Sequence, residues 1–247
     1  MSELFLVKEN IANLDALWRL MGAQVYQDNT CIQVSKQWPY RCWYDWEASI
    51  ENIATLECAI DQASALCIVP VWETPGDLAV DVKRLLIANG FDVLFEQTAM
   101  YLALQNDSLL GSDLFMKSIN SEEDIERWIS IAEASFAYEI DSSVIHQVAN
   151  DDNVKLLMAC VDNCPVATAL LFKTGEVIGV HQLGVLKEYR GQGIARQLMH
   201  DVINLSVGWS GRYLSLQASK DGEALYQSLG FQRQFVIKNY QRPVTGV

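Results

Sequence analysis

Long apolar runs are missing from this 247-residue chain: no stretch approaches the ~20 residues that a membrane-spanning helix needs, so no membrane partner is expected. Basic residues are scarce as well. Eighteen Lys and Arg face 31 Asp and Glu, and the formal net charge of -13 opposes any sequence-independent grip on phosphate backbones, which excludes nucleic acid as an expected partner. Histidine occurs three times, at 146, 181 and 200, and neither HExxH nor a CxxC pair is present, so no metal is implied. The six cysteines are scattered, and the opening MSELFLVKEN turns polar too soon for a secretory leader; both point to reduced thiols and a cytoplasmic location. What is present is hydrophobic residue in half of the positions, enough for a sizeable core and one or two domains.

The polar stretch QNDSLLGSD at 105 to 113 divides two hydrophobic regions, and a domain boundary is placed there, giving domains 1–108 and 113–247. Before it, NIANLDALWRLMG, IENIATLECAI and LAVDVKRLLIANG carry helical periodicity, the last ending at Gly90 in a position that suits a left-handed cap. TCIQV and ALCIVPVW read as strands between them. After the boundary, Ser121 with an acidic residue three further on opens a helix in the manner of a capping box. VKLLMACV, VATALLF and EVIGVHQLGVL then read as successive hairpin strands, followed by a helix, the strand RYLSLQA, the short helix GEALYQSLG and a last strand. The two halves end alike, strand, helix, a Gly-Phe pair and a long strand, as a degenerate duplication would.

One turn stands apart, RGQGIA at 190 to 195. A Walker loop is absent, and the third glycine of a dinucleotide fingerprint is replaced by Arg196. What remains is a pair of glycines, Gly191 and Gly193, at a helix N-terminus, where main-chain N–H groups come close to an anion and the peptide dipole favours negative charge. The turn suits a diphosphate, with Arg190 as a fixed positive fork. Behind it Ile194, Leu198 and Val202 repeat at helical spacing and bury one face.

LGVLKEYRGQGIARQLM resembles motif A of the Gcn5-related N-acetyltransferases (GNAT), and ASKDGEALYQSLGF, further on, resembles their motif B. The resemblance covers residues 113 to 245, and the ending of residues 65 to 104 looks like a degraded copy of the same fold. It implies an α/β protein with a mixed, mostly antiparallel sheet flanked by helices, and two GNAT-like domains in tandem of which only the second keeps the glycine turn. It also implies acetyl-CoA as the acetyl donor: residues 190 to 195 (Arg190, Gly191, Gln192, Gly193, Ile194 and Ala195) would hold its pyrophosphate. Leu183, Gly184 and Val185 would offer main-chain groups to its pantetheine arm. Gly184 inside an apolar strand suits a bulge that opens the sheet there. Ser219 stands where relatives often carry Asn, and Gly222 where Ala or Gly is usual.

Acetyl transfer to an amine needs a neutral nucleophile, donors for the carbonyl oxygen and an acid for the departing thiolate. Tyr226 matches the motif B tyrosine that many family members use as that acid, and packing in the coenzyme groove is its other reading. His181 stands where relatives place a Glu or His near the amine, as base or as a hydrogen-bonded residue beside the cleft. The aromatics of WPYRCWYDWE, 38 to 47, are read as core first and as substrate-pocket lining second. The expected function is acetyl transfer to an amine of a small molecule or peptide. A non-catalytic acyl-CoA-binding protein whose first half recognises a partner is the alternative, and a homodimer is compatible with either.

Overall fold

The computed structural model describes residues 3–27, 29–45, 53–63, 66–74, 78–105, 115–119 and 121–243. The first half runs α1 (Glu3–Leu20), β1 (Gln24–Tyr26), β2 (Asn29–Val34), β3 (Cys42–Tyr44), α2 (Ile53–Gln62), β4 (Val69–Glu73), α3 (Leu78–Ala88) and β5 (Asp92–Ala103). The second runs β6 (Phe115–Ser118), α4 (Glu122–Phe136), α5 (Ser142–Ala149), β7 (Val154–Val161), β8 (Cys164–Thr174) and β9 (Val177–Val185). A 3-10 turn at Lys187–Tyr189, α6 (Ile194–Gly208), β10 (Tyr213–Ser219), α7 (Glu223–Ser228) and β11 (Gln232–Gln241) complete it.

Local chemistry explains the element ends. The Ser121 hydroxyl accepts from the Asp124 N–H at 3.2 Å, starting α4 as the capping pattern required. Gly90 takes φ 74 after α3, the left-handed stop. Helix α5 was not read from the sequence, although Asp141 caps it by accepting from the Ser143 N–H at 3.0 Å. Strands β1 and β3, three residues each, were also missed and join β2 in a small separate sheet.

The main sheet has eight strands in the order β4-β11-β5-β10-β9-β8-β7-β6, and every neighbouring pair is antiparallel except β9 with β10. That is the mixed, mostly antiparallel sheet the resemblance implied. The order holds a feature the sequence did not show. Strand β5 of the first half lies between β10 and β11 of the second, and β11 lies between β4 and β5 of the first. Each half therefore closes its strand-helix-strand ending around the last strand of the other. The polar boundary at 105 to 113 falls, from residue 106 on, outside the described residues; on either side of it the chain contributes to one continuous sheet.

Two apolar layers cover the sheet. One packs α1, α4 and α5 together with the aromatic stretch, where Trp38, Trp43 and Tyr44 are buried, as the core reading expected. Trp46 and Glu47 of that stretch lie outside the described residues. The other packs α6, α7 and Tyr226 against Val180, Leu214 and Leu216. The six cysteines form no disulfide, and no metal-holding cluster of His, Cys, Asp and Glu occurs among the described residues. No helix among them is long and apolar enough to cross a membrane.

Candidate functional site

Strands β9 and β10 begin as partners and then part. Their pairing runs from Tyr213–Leu216 against Val177–Val180 and stops, whereas β9 stays bonded to β8 as far as Val185 opposite Ala167. The residues of β9 beyond Val180 thus face an opening instead of a neighbour. In a strand the N–H and C=O of one residue point to the same side and alternate along the chain. Leu186 donates its N–H to Val166 on the β8 side, so Val185 points into the opening, where its carbonyl accepts from Arg190.

A register shift between β8 and β9 accompanies the parting, with Gln182 and Leu183 forming the extra step. The left-handed residue is Gln182, φ 47, and the glycine beside it serves a different end. A Cβ on Gly184 would meet the Ser135 Cβ at 2.7 Å and the Phe136 ring at 2.9 Å, so the glycine lets α4 lie against β9. The bulge expected at Gly184 is present one to two residues earlier, and Gly184 itself is a packing residue.

The glycine turn is built as its sequence required. Gly191 and Gly193 adopt φ 75 and 81, with nothing within 4 Å of where a Cβ would stand, so conformation and not crowding demands glycine at both. Gly193 is the N-cap of α6 and supplies no side-chain cap; the first helical bond is Gln197 N–H to the Gly193 carbonyl. Among the described residues, the N–H groups of Gly191, Gln192, Gly193, Ile194, Ala195 and Arg196 have no acceptor. A row of free main-chain donors at the positive end of a 15-residue helix is chemically suited to receive an anion.

The Arg190 fork engages main-chain carbonyls. Its Nε donates to the Val185 carbonyl at 2.9 Å and its Nη2 to the Ser135 carbonyl at 2.5 Å, so its fork ties the turn to β9 and α4. Gln192 turns back to the Glu188 carbonyl at 3.1 Å. Ile194 is buried in the α6 layer, with Ala195 partly buried against it. Arg196, not singled out in the sequence, donates to the Ser228 hydroxyl at 2.7 Å and holds α6 to α7.

Motif B forms the other wall. Ser219 accepts from the Gly222 N–H at 3.2 Å, shaping the turn into α7, and a Cβ on Gly222 would stand 3.2 Å from the Tyr226 ring. Tyr226 is 9% exposed, packs edge-on against Phe231 at 5.7 Å, and burial pushes its hydroxyl up to about 12. It therefore holds its proton throughout the neutral range.

His181 lies on the opposite face of the sheet, under α1. Its Nε2 is 3.1 Å from the Asn13 Oδ1, and Asn13 donates its own N–H groups to the Phe172 carbonyl and the Thr174 hydroxyl. With the amide thus oriented, its oxygen accepts, and Nε2 of His181 carries the hydrogen. Burial lowers the imidazole to about 3, so it is neutral at pH 7. Leu183, Gly184 and Val185 are brought beside Arg190 and the turn, and Tyr226 beside Ser219 and Gly222; His181 belongs to a separate polar layer.

That layer was missed in the sequence. Asn10 and Asn13 are buried on the sheet-facing side of α1. Arg41 donates to Asn239, Asn239 to Gln97 and Gln97 to the Gln217 carbonyl; the Gln217 side chain donates in turn to Asn10. Two asparagines three apart on the apolar face of a helix were the available signal, because a buried amide requires partners.

Residues 118–231 match the Acetyltransferase (GNAT) family. The C-terminal region of the chain therefore carries a GNAT-family domain over those residues. A 64-residue stretch is 38% identical to N-alpha-acetyltransferase RimI of Mycobacterium tuberculosis (strain ATCC 25618 / H37Rv), covering 26% of this chain and 40% of that one. The chain thus spans 40% of the length of the curated relative it matches. Over nearly its whole length it shares a fold with a GCN5-related N-acetyltransferase from Kribbella flavida, at TM-score 0.66 and 16% identity, covering 96% of this chain and 95% of that one. A GCN5-related N-acetyltransferase from Sphaerobacter thermophilus aligns at TM-score 0.62 and 14% identity, over 85% and 76% of the two chains. The likeness extends through the first half, where the glycine turn is absent.

Proposed function

We propose that the protein moves an acetyl group from acetyl-CoA directly to an amine of a small molecule or peptide. The observation that carries this reading is the run of free main-chain donors from Gly191 to Arg196, set beside the parting of β9 and β10. The donors take the diphosphate. The pantetheine arm lies along the open edge of β9 at Leu183 to Val185, in the way a strand would, and brings the thioester to the parting.

The acceptor reacts as a neutral amine whose nitrogen attacks the thioester carbon. As the C–S bond breaks, the thiolate takes the Tyr226 proton, and the extra proton on the new amide nitrogen restores the tyrosine. His181 is a neutral hydrogen-bonding residue in this scheme. An imidazole held at about 3 is too weak a base to take a proton from an ammonium group.

Thiol release from acetyl-CoA in the presence of an amine panel tests the reading. Turnover with at least one amine is expected, and Tyr226→Phe lowers kcat on the order of 100-fold with little change in KM for acetyl-CoA. Acetyl-CoA binding without thiol release for any amine would replace this reading with a non-catalytic acyl-CoA-binding protein.

A further inference from the structure

Among the described residues, Arg41 is a cation with no ion-pair partner, in a protein of net charge -13. It stands just before β3 in the first half, with its guanidinium 5.4 Å from the Trp18 ring and 5.7 Å from the Phe95 ring. One Nη1 hydrogen goes to Asn239 at 2.9 Å. Nε is sealed from solvent without a partner, and no carboxylate among the described residues forms an ion pair with the group. Burial draws it down to about 10, and at neutral pH it remains charged. Retaining a desolvated, unneutralised guanidinium is costly unless something anionic completes it.

Its surroundings say where that anion comes from. The charge of Arg41 acts on the Tyr138 hydroxyl, which donates to Gln182 at 3.0 Å, at the bulge where β9 leaves β10. From Arg41 the hydrogen-bonded row passes through Asn239 on β11 and Gln97 on β5 to β10. Asn239 is therefore two strand spacings, about 10 Å, from the strand that borders the opening. The row lies on the α1 face, opposite α6, α7 and the diphosphate donors.

We propose that Arg41 binds a carboxylate of the acceptor, so that the acceptor is a molecule bearing an amine at one end and a carboxylate at the other, as a short peptide does. This rests on the acetyl-transfer reading above. The amine enters the parting of β9 and β10 from the α1 face, and the carboxylate meets the unspent Nη hydrogens beside Phe95 and Tyr138. The N-terminal half thereby has a function that explains its retention without a glycine turn: it supplies the charged end of the acceptor site.

Tripeptides with a free C-terminus, paired with their C-terminal amides, test this by thiol release and by calorimetry on the CoA-loaded protein. In the wild type the carboxylate form is expected to show a KM or Kd at least ten-fold below that of the amide. Arg41→Gln brings the ratio close to one, and Arg41→Lys retains part of it. A wild-type ratio near one, no binding of either form, or an unchanged ratio in a folded Arg41→Gln overturns the proposal. If Arg41→Gln fails to fold by circular dichroism, the wild-type ratio and Arg41→Lys decide. Failure of the acetyl-transfer reading shows separately, as no heat with acetyl-CoA; the paired peptides are then titrated into the free protein, where the same ratio decides.

Discussion

At the scale of single residues, the sharpest consequence of the structure concerns His181 and Asn13, partners 168 positions apart. An imidazole is ordinarily half-protonated near 6.5, and in the folded chain burial lowers it to about 3. Between those values the unfolded chain takes up a proton that the native one refuses, so stability falls as pH drops below 6.5 and the loss continues towards 3. His181→Gln removes that contribution. Urea midpoints measured from pH 7 to pH 4 should decline less steeply for the variant, and parallel profiles would refute the assignment. Gly191, Gly193 and Tyr226 were legible in the sequence because their positions are fixed by a local pattern, a tight turn before a helix and a tyrosine one turn into the next. The destination of the Arg190 side chain was not, because two carbonyls contributed by β9 and α4 decide it.

Elements were easier to read than their contacts. Periodicity and caps located α3, α4, α6 and the three hairpin strands, whereas α5, eight residues long, fell between stronger signals. The parting of β9 and β10 could not be read, since register depends on which strand becomes a neighbour and no strand carries that information alone. Gly184 illustrates the difference: the sequence suggested a bulge, and the structure uses the glycine to admit Ser135 and Phe136 of α4. Gly184→Ala must push α4 away from β9, and overpacking of that kind costs about 1–3 kcal/mol. Chemical denaturation should show a loss in that range; an unchanged midpoint would mean that α4 does not press on β9 as described.

Across the whole molecule, the interleaving of β5 and β11 joins what the sequence divided. The composition shift at 105 to 113 is real, but sheet pairing ignores it, and two sequence-similar endings complete one another instead of closing separately. A fragment of residues 113–247 would expose an edge of β10 and both edges of β11, and such edges pair indiscriminately. That fragment alone should lack a cooperative thermal transition, while co-expression with residues 1–112 should restore one; a fragment that melts cooperatively by itself would contradict the shared sheet. The proposed diphosphate site at the start of α6 stands at the centre of the account, and titration calorimetry of acetyl-CoA into wild type, Gly193→Ala and Gly193→Glu tests it most directly. Both substitutions share the cost of a side chain at φ 81, about 1–2 kcal/mol, so that backbone cost cancels from the difference between them and the added carboxylate side chain remains. Binding heat in the wild type, weaker binding in the alanine variant and none in a folded glutamate variant are expected. A silent wild type, or a glutamate variant that binds as tightly as the alanine one, would contradict the account.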